Sequence, residues 1–358
     1  PQQCYYQNWH IELLALYLEE LMKNNDESAR LLINIPPRHL KSLLVSVIWP
    51  AWLLGKNPIL KIIVITYSQR LSDKHHFDTS IIMTSKWYKE IFDINITTKN
   101  RFKICTFQGG FRLSTSIGAS LTGEGGDIII IDDPHNPSLI YSKRRRAFVI
   151  DWYQNTLLSR FNNYKKGKLV IVMQRLHTED LSAFVLRNEE YKAIILPIIS
   201  NNNDVFKVDN YKFQYPVKTI LDRNRYSLND INEIKKSLGK YNFAAQYMQK
   251  PFKIQGVIPI DLIKFYDRKI ILDEFNKGVM QGDVIHSWDT AATISEKSDF
   301  SVCTVWLKQG EKYYLLDCIR EKLTYQNLVA MVKKLIYLYP AMTILIENKS
   351  TGISLIQL

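Results

Sequence analysis

Four short runs of β-branched and aliphatic residues constrain the fold more than anything else in the chain: Leu31-Leu32-Ile33-Asn34-Ile35, Lys61-Ile62-Ile63-Val64-Ile65-Thr66, Ile128-Ile129-Ile130-Ile131 and Lys168-Leu169-Val170-Ile171-Val172-Met173. A strand with one wet face alternates apolar and polar residues, whereas an unbroken apolar run of this length must be covered on both faces. Helical stretches near 41–54, 69–91 and 143–160 separate the runs. Strands alternating with helices predict an α/β domain with a mainly parallel sheet, which we place at residues 1–200. It is preceded by an amphipathic helix starting at Trp9, with Ile11, Leu14, Ala15, Leu18, Leu21 and Met22 recurring at threes and fours.

The polar and aromatic stretch from Asn201 to Pro216 breaks this rhythm, so residues 201–280 are predicted to be a linker region, with a helical stretch at 228–250. Strand-like runs then follow at 284–289, 300–307 and 312–319. A helix marked by Tyr325, Leu328, Val329, Val332, Leu335 and Ile336 comes next, then a strand from Met342 to Glu347. Three strands, a helix and a strand open a ribonuclease-H-like fold, so 281–358 is expected to be the first part of such a domain.

With 358 residues, 46% of them hydrophobic and 23% charged, the chain has ordinary globular composition. Its net charge of +12 favours a polyanionic partner, either nucleic acid or an anionic surface. Cys4, Cys105, Cys303 and Cys318 stand far apart without C-x-x-C spacing, which points to free thiols in a reducing compartment and not to a zinc site. The longest apolar stretch, Leu43 to Leu54, is interrupted by Ser46 and Pro50 and is shorter than the ~20 residues that span a bilayer. No membrane association is expected.

The first strand runs into Ile35-Pro36-Pro37-Arg38-His39-Leu40-Lys41-Ser42 and then an apolar helix, the setting of a phosphate-binding loop. The ending Lys41-Ser42 fits. The glycines of the general pattern are replaced by Ile35 and Leu40, and a Pro-rich turn capped by Ser42 is the alternative. The third run ends in Asp132-Asp133, where a nucleotide's metal is held and a water polarised. Taken alone, such a pair also suits a helix cap. In the second region, Asp289 ends one apolar strand and Glu347 a later one, as two-metal nucleases require of carboxylates drawn from different strands. Each singly also suits a turn.

Together these segments resemble the large terminase subunit of tailed bacteriophages, and the resemblance covers nearly the whole chain. Pro36 to Ser42 is similar to the family's Pro-Pro-Arg-His-Gly-Lys-Ser loop, with Leu40 as the departure. Gly118-Ala119-Ser120-Leu121-Thr122-Gly123 through Gly126-Asp127 to Asp132-Asp133-Pro134 is similar to the segment containing its Walker B strand, with Glu124 where Arg is common. Gln174-Arg175-Leu176-His177-Thr178-Glu179-Asp180-Leu181 looks like the motif that couples the γ-phosphate to domain movement. Lys236 to Pro251 is similar to the region joining the two domains.

The resemblance implies an ASCE-type P-loop NTPase domain and a partial ribonuclease-H-like nuclease domain, working as an ATP-driven translocase of double-stranded DNA into a procapsid and a metal-dependent endonuclease. It implies that Pro37, Arg38, His39, Leu40, Lys41 and Ser42 wrap ATP, that Ser42 and Asp132 hold Mg²⁺, and that Trp9 and His10 pack the adenine. Catalysis would fall to Arg38 as a cis arginine, Asp133 as the water-polarising acid, Gln174 as the coupling residue, and Asp289 and Glu347 as ligands of cutting Mg²⁺ or Mn²⁺. Asp299 is expected to be structural, and the third nuclease acid is expected beyond Leu358. Lys143-Arg144-Arg145-Arg146 and Lys165-Lys166 would grip DNA phosphates, or else form solvated faces. Expected partners are the small terminase subunit, the portal of the procapsid and further copies in a ring, in the cytoplasm of a bacterial host. Two rival readings are a degenerate prophage remnant that binds DNA without catalysis and another nucleic-acid-dependent ATPase such as a helicase.

Overall fold

A computed structural model of the chain describes residues 7–23, 28–119, 121, 123–252, 264–291, 300–347 and 351–357. It divides into two compact units, Pro1–Ile254 and Gln255–Leu358.

Unit 1 is built on an eight-stranded sheet. Its strands are β1 (Ala29–Asn34), β2 (Lys61–Thr66), β3 (Ile96–Lys99), β4 (Lys103–Thr106), β5 (Phe111–Ser116), β6 (Ile128–Asp132), β7 (Lys168–Met173) and β8 (Lys192–Ile195), in the order β3-β4-β5-β2-β6-β7-β1-β8. From β5 to β8 every pairing is parallel, and only β3 and β4 run against their neighbours. The four apolar runs are the central strands. Their alternate residues feed two separate cores. Leu31, Ile33, Ile62, Val64, Ile128, Ile130, Val170 and Val172 enter one, and Leu32, Ile63, Ile65, Ile129, Ile131, Leu169, Ile171 and Met173 enter the other. Period-two geometry sends neighbours to opposite faces, so both residue sets must be apolar when both faces are covered.

The first core is roofed by α1 (Trp9–Lys23), α2 (Trp49–Lys56), α3 (Gln69–Thr84) and α4 (Lys86–Phe92), the second by α5 (Lys143–Trp152) and α6 (Leu181–Asn188). The stretch expected to be helical at 41–54 begins with a π-helical segment, Leu43–Ile48, before α2. The stretch at 69–91 breaks at Ser85, whose extended backbone and side chain cap α4. Strands β3, β4, β5 and β8 carry no long apolar run and are not visible in the sequence pattern.

Unit 1 also extends past residue 200, the boundary read from the sequence. The hairpin β9 (Asp204–Val208) and β10 (Tyr211–Tyr215) lays Phe206, Phe213 and Tyr215 around Trp9, with ring centroids 6.4, 6.4 and 5.1 Å away. Val208, Tyr215 and Leu221 belong to the first core, so the polar appearance of 201–221 conceals one buried face. Helix α7 (Leu228–Gln246) follows, opened by a Ser227–Asp230 capping box and kinked at Gly239, whose φ of 73° suits glycine.

Unit 2 contains α8 (Arg268–Asn276), β11 (Asp283–Asp289), β12 (Ser301–Gln309), β13 (Lys312–Glu321), α9 (Tyr325–Leu338), β14 (Thr343–Ile346) and α10 (Thr351–Ile356). The sheet order is β13-β12-β11-β14, with β11 and β14 parallel and the other pairs antiparallel. The order of three strands, a helix and a strand is the one expected from the sequence, and the structure adds that the three strands form an antiparallel meander and the last runs parallel to β11. Residues 292–299, and Asp299 with them, lie outside the described residues, as do Cys4, Ser120 and Thr122.

Candidate nucleotide site and paired carboxylates

Strand β7 lies between β1 and β6, so the loop leaving β1 and the carboxylates ending β6 approach each other across its C-terminal end. This is where open parallel sheets bind ligands. The loop turns sharply: Arg38 and Leu40 take φ of 66° and 60°. Left-handed backbone at a residue with a Cβ costs ~1–2 kcal/mol, so Leu40 keeps the local shape that a glycine would adopt freely. Its carbonyl accepts the Leu44 amide at 2.9 Å and closes the turn that leads into the π-helical segment.

Two contacts close the site. Ser42 Oγ donates to Asp132 Oδ1 at 3.0 Å, and Lys41 Nζ lies 3.1 Å from Asp133 Oδ2. Asp132 is fully buried, and burial together with the neighbouring Asp133 carboxylate pushes its carboxyl above the usual range, opposed by Lys41 and by the Ser46 and Ser42 hydroxyls. Asp133 sits at φ 44°, its amide on the Val172 carbonyl at 2.9 Å. Its Oδ1 accepts the Gln174 amide at 3.1 Å. Lys41, Ser42, Asp132, Asp133 and Gln174 are thus brought together from three loops. The buried Gln174 Oε1 has no hydrogen-bond partner among the described residues. Arg38 is exposed at the tip of the loop.

Ser42 Oγ and Asp132 Oδ1 are hard oxygen donors on a shared hydrogen bond, a donor set that suits Mg²⁺, which takes one or two protein oxygens and keeps several waters. Among the described residues no group of three or more His, Cys, Asp or Glu forms a metal cluster.

Trp9 is partly buried and His10 fully buried on the first turn of α1. Trp9 is packed in the aromatic set of the hairpin. His10 is 1% exposed and places Nε2 3.4 Å from the His39 carbonyl. His39 is likewise buried, with Nδ1 on the Pro37 carbonyl at 2.9 Å and its ring stacked on Tyr226 at 5.4 Å. Burial lowers both imidazoles to about 4. They are neutral props beneath the loop, and the physical reason is the hairpin and the 221–226 segment that cover them.

The segment after β7 is anchored twice. The Gln174 amide binds Asp133, and the next amide, that of Arg175, donates to Gln249 Oε1 at 2.9 Å just past α7. Asp180 caps α6 and receives Arg175 Nε at 3.0 Å. Of the basic run, Lys143, Arg144 and Arg145 are exposed, while Arg146 is buried. It binds Glu179 at 2.8 Å and the carbonyls of Ile140 and Tyr141 at 2.7 and 2.9 Å. Arg146 is therefore a structural residue, unlike the three before it. Glu124 pairs with Lys103 at 2.6 Å.

In unit 2, Trp288 and Ile346 are register partners on parallel strands, and the Glu347 amide donates to the Trp288 carbonyl at 3.2 Å. Asp289 and Glu347 thus leave adjacent strands at the same end, both exposed. Gly352 packs behind them. A Cβ there would stand 2.1 Å from the Glu347 carbonyl oxygen, a contact only glycine avoids.

The sequence reading missed Ser46, His75, Arg112, Asp180 and Gln249. Asp180 and Gln249 lie inside the quoted 174–181 and 236–251 segments without having been singled out, whereas Ser46, His75 and Arg112 sit in no motif, and of these only the polar Ser46 inside an apolar stretch could have drawn attention.

No family model matches the chain, and no curated protein matches it. Among solved structures, the HK97 bacteriophage large terminase is similar at 10% identity over 96% of this chain and 75% of that one, with a TM-score of 0.44. The large terminase of a thermophilic bacteriophage in complex with ADP is similar at 9% identity over 97% and 79%, with a TM-score of 0.43. The Thermus phage P74-26 large terminase ATPase domain is similar at 10% identity over 69% and 99%, with a TM-score of 0.42.

Proposed function

We propose that the chain is a large terminase subunit of the tailed-bacteriophage type, in which ATP hydrolysis in unit 1 drives double-stranded DNA into a procapsid and unit 2 contributes to metal-dependent cutting. The observation that carries the reading is the meeting of Lys41-Ser42 with Asp132-Asp133 across β7, through the 3.0 Å and 3.1 Å contacts. A Pro-rich turn capped by Ser42 gives no reason for that meeting. The sequence motifs supply the choice of family.

In this reading Lys41 exchanges Asp133 for the β- and γ-phosphates, and the loop amides bind phosphate oxygens. Released from Lys41, Asp133 keeps the Gln174 amide and orients the attacking water. Arg38, exposed at the loop tip, swings onto the transferred phosphoryl group. Ser42 and Asp132 hold Mg²⁺, which supplies charge neutralisation at the phosphates. The double anchoring of 174–175 ties Asp133 to the residues that lead out of unit 1, which supports a coupling role for Gln174. Asp289 and Glu347 would hold Mg²⁺ or Mn²⁺, which would supply charge stabilisation for phosphodiester cleavage. Lys143, Arg144 and Arg145 grip DNA without reading sequence. The small subunit, the portal, a ring of copies and the host cytoplasm follow from the family reading.

The test is Mg²⁺-dependent ATP hydrolysis by the full chain, with and without duplex DNA. Lys41→Ala is expected to lower turnover by ~10²–10³-fold, the range for removing one charge-stabilising group. DNA binding with no nucleotide binding at all would overturn the motor and favour a silent DNA-binding protein. Unwinding of the duplex would favour a helicase.

A further inference from the structure

Asp132 is held from behind by a buried polar network that the phosphate loop does not need. Its Oδ2 accepts Ser46 Oγ at 2.7 Å and faces His75 Nδ1, on α3, at 3.5 Å. Ser46 lies in the π-helical segment, and its carbonyl accepts Arg112 Nη2, from β5, at 2.9 Å. Arg112 Nη1 also meets Ser114 Oγ and His76 Nδ1, and His76 Nε2 is fixed on the Asn100 carbonyl at 2.8 Å. All of Ser46, His75, His76 and Arg112 are at most 4% exposed. Among the described residues the Arg112 guanidinium bonds no carboxylate.

Such a network is a poor way to gain stability. A fully buried cation with only neutral acceptors carries a desolvation cost that well-packed apolar residues would not, so its retention calls for a task of specificity. The geometry supplies one. The torsion about a carboxylate's last bond is broad and two-fold, so an Asp at a strand end can present either oxygen unless one is tied.

We infer that Ser46 and Arg112, with His75 beside them, are positioning residues for Asp132: they hold Oδ2 in the core so that Oδ1, shared with Ser42, is the oxygen presented to a metal–nucleotide complex. Arg112 fixes the Ser46 carbonyl, the π-helical segment carries the Ser46 hydroxyl to Oδ2, and the imidazole of His75 closes the remaining side. Positioning of this kind reaches from β5, two strands away from β6, to the nucleotide. The inference rests on the nucleotide-site reading above.

Titration calorimetry of ADP against the full chain, once in EDTA and once in Mg²⁺, separates the two. For the wild type Mg²⁺ tightens ADP. For Ser46→Ala and His75→Gln the tightening is expected to shrink about tenfold, as when outer partners of metal ligands are removed, with affinity in EDTA within about twofold of wild type. Mn²⁺ electron paramagnetic resonance in the presence of ADP should show the same weakening of metal binding. Thermal melts check that each variant is folded, and Ser46→Ala is the less disruptive of the pair. Wild-type Mg²⁺ dependence in both folded variants overturns the inference alone, as does an equal loss of ADP affinity in EDTA and Mg²⁺. A wild-type chain that binds ADP under neither condition overturns the nucleotide site itself.

Discussion

The two sheets present their carboxylates in opposite ways. In unit 1 the central strands are buried on both faces, and Asp132 ends β6 fully enclosed, held by two hydroxyls with an imidazole beside it. In unit 2 the strands alternate buried and accessible residues, β14 is largely exposed, and Asp289 and Glu347 leave adjacent strand ends in the open. Fixing one oxygen of a carboxylate takes a surrounding layer of packed elements, and among the described residues the unit 1 sheet has a core on each face while unit 2 has one. The difference is one of coverage more than of residue type.

Burial on two faces should appear as stability. Ile130→Ala, at the centre of unit 1, is expected to cost ~2–5 kcal/mol, whereas Leu345→Ala on exposed β14 should stay near ~0.5 kcal/mol. Urea melts of the full chain check this, and equal losses would show that the open face of unit 2 is covered in solution.

Enclosure also sets a pH dependence. Burial lowers His135 from 6.5 to about 4, and its Nε2 accepts the Leu181 amide at 2.8 Å, which requires the neutral ring. The folded value lies below the unfolded one, so this contribution is complete above pH 6.5 and is lost as the pH falls through 4. It is worth up to ~3 kcal/mol. His135→Gln, which keeps an acceptor and cannot titrate, should flatten the acid limb of unit 1 stability. An unchanged limb would place the titration on His10, His39 or His75.

The smallest effect concerns the loop. Leu40→Ala keeps the strained φ and loses the side chain, whereas Leu40→Gly loses the side chain and the strain together. Leu40→Gly is therefore expected to be the more stable by ~1 kcal/mol, the reverse of the order found in helices. Differential scanning calorimetry gives the order directly, and Ala above Gly would mean that the loop relaxes to negative φ.

Much of this architecture is legible in the residues. The four apolar runs announce a doubly covered parallel sheet because they are short, rich in β-branched residues and separated by helical stretches. The meander, helix and strand of unit 2 follow from period-two and period-3.6 patterning. Lys41-Ser42 and Asp132-Asp133 could be paired by position at strand ends, and Asp289 with Glu347 likewise. The segment 201–221 was not legible as part of unit 1, because Phe206, Phe213 and Tyr215 look like scattered aromatics until they surround Trp9. His10 and Arg146 read as exposed functional groups, and both are buried because their covers come from distant sequence, His39 with Tyr226 for one and Glu179 for the other.

What the sequence determined by itself is whatever depends on neighbours along the chain: the central strands and main helices, the turn at Pro36-Pro37, and the carboxylates at strand ends. What only the tertiary structure decided is which partner each oxygen of Asp132 takes and which amide and carbonyl hold Asp133. Ser46 bonds Asp132, Arg112 bonds Ser46, and Val172 and Gln174 bond Asp133, all across different parts of the chain, and these hydrogen bonds of ~3 Å exist only once strand order and packing have set their distances.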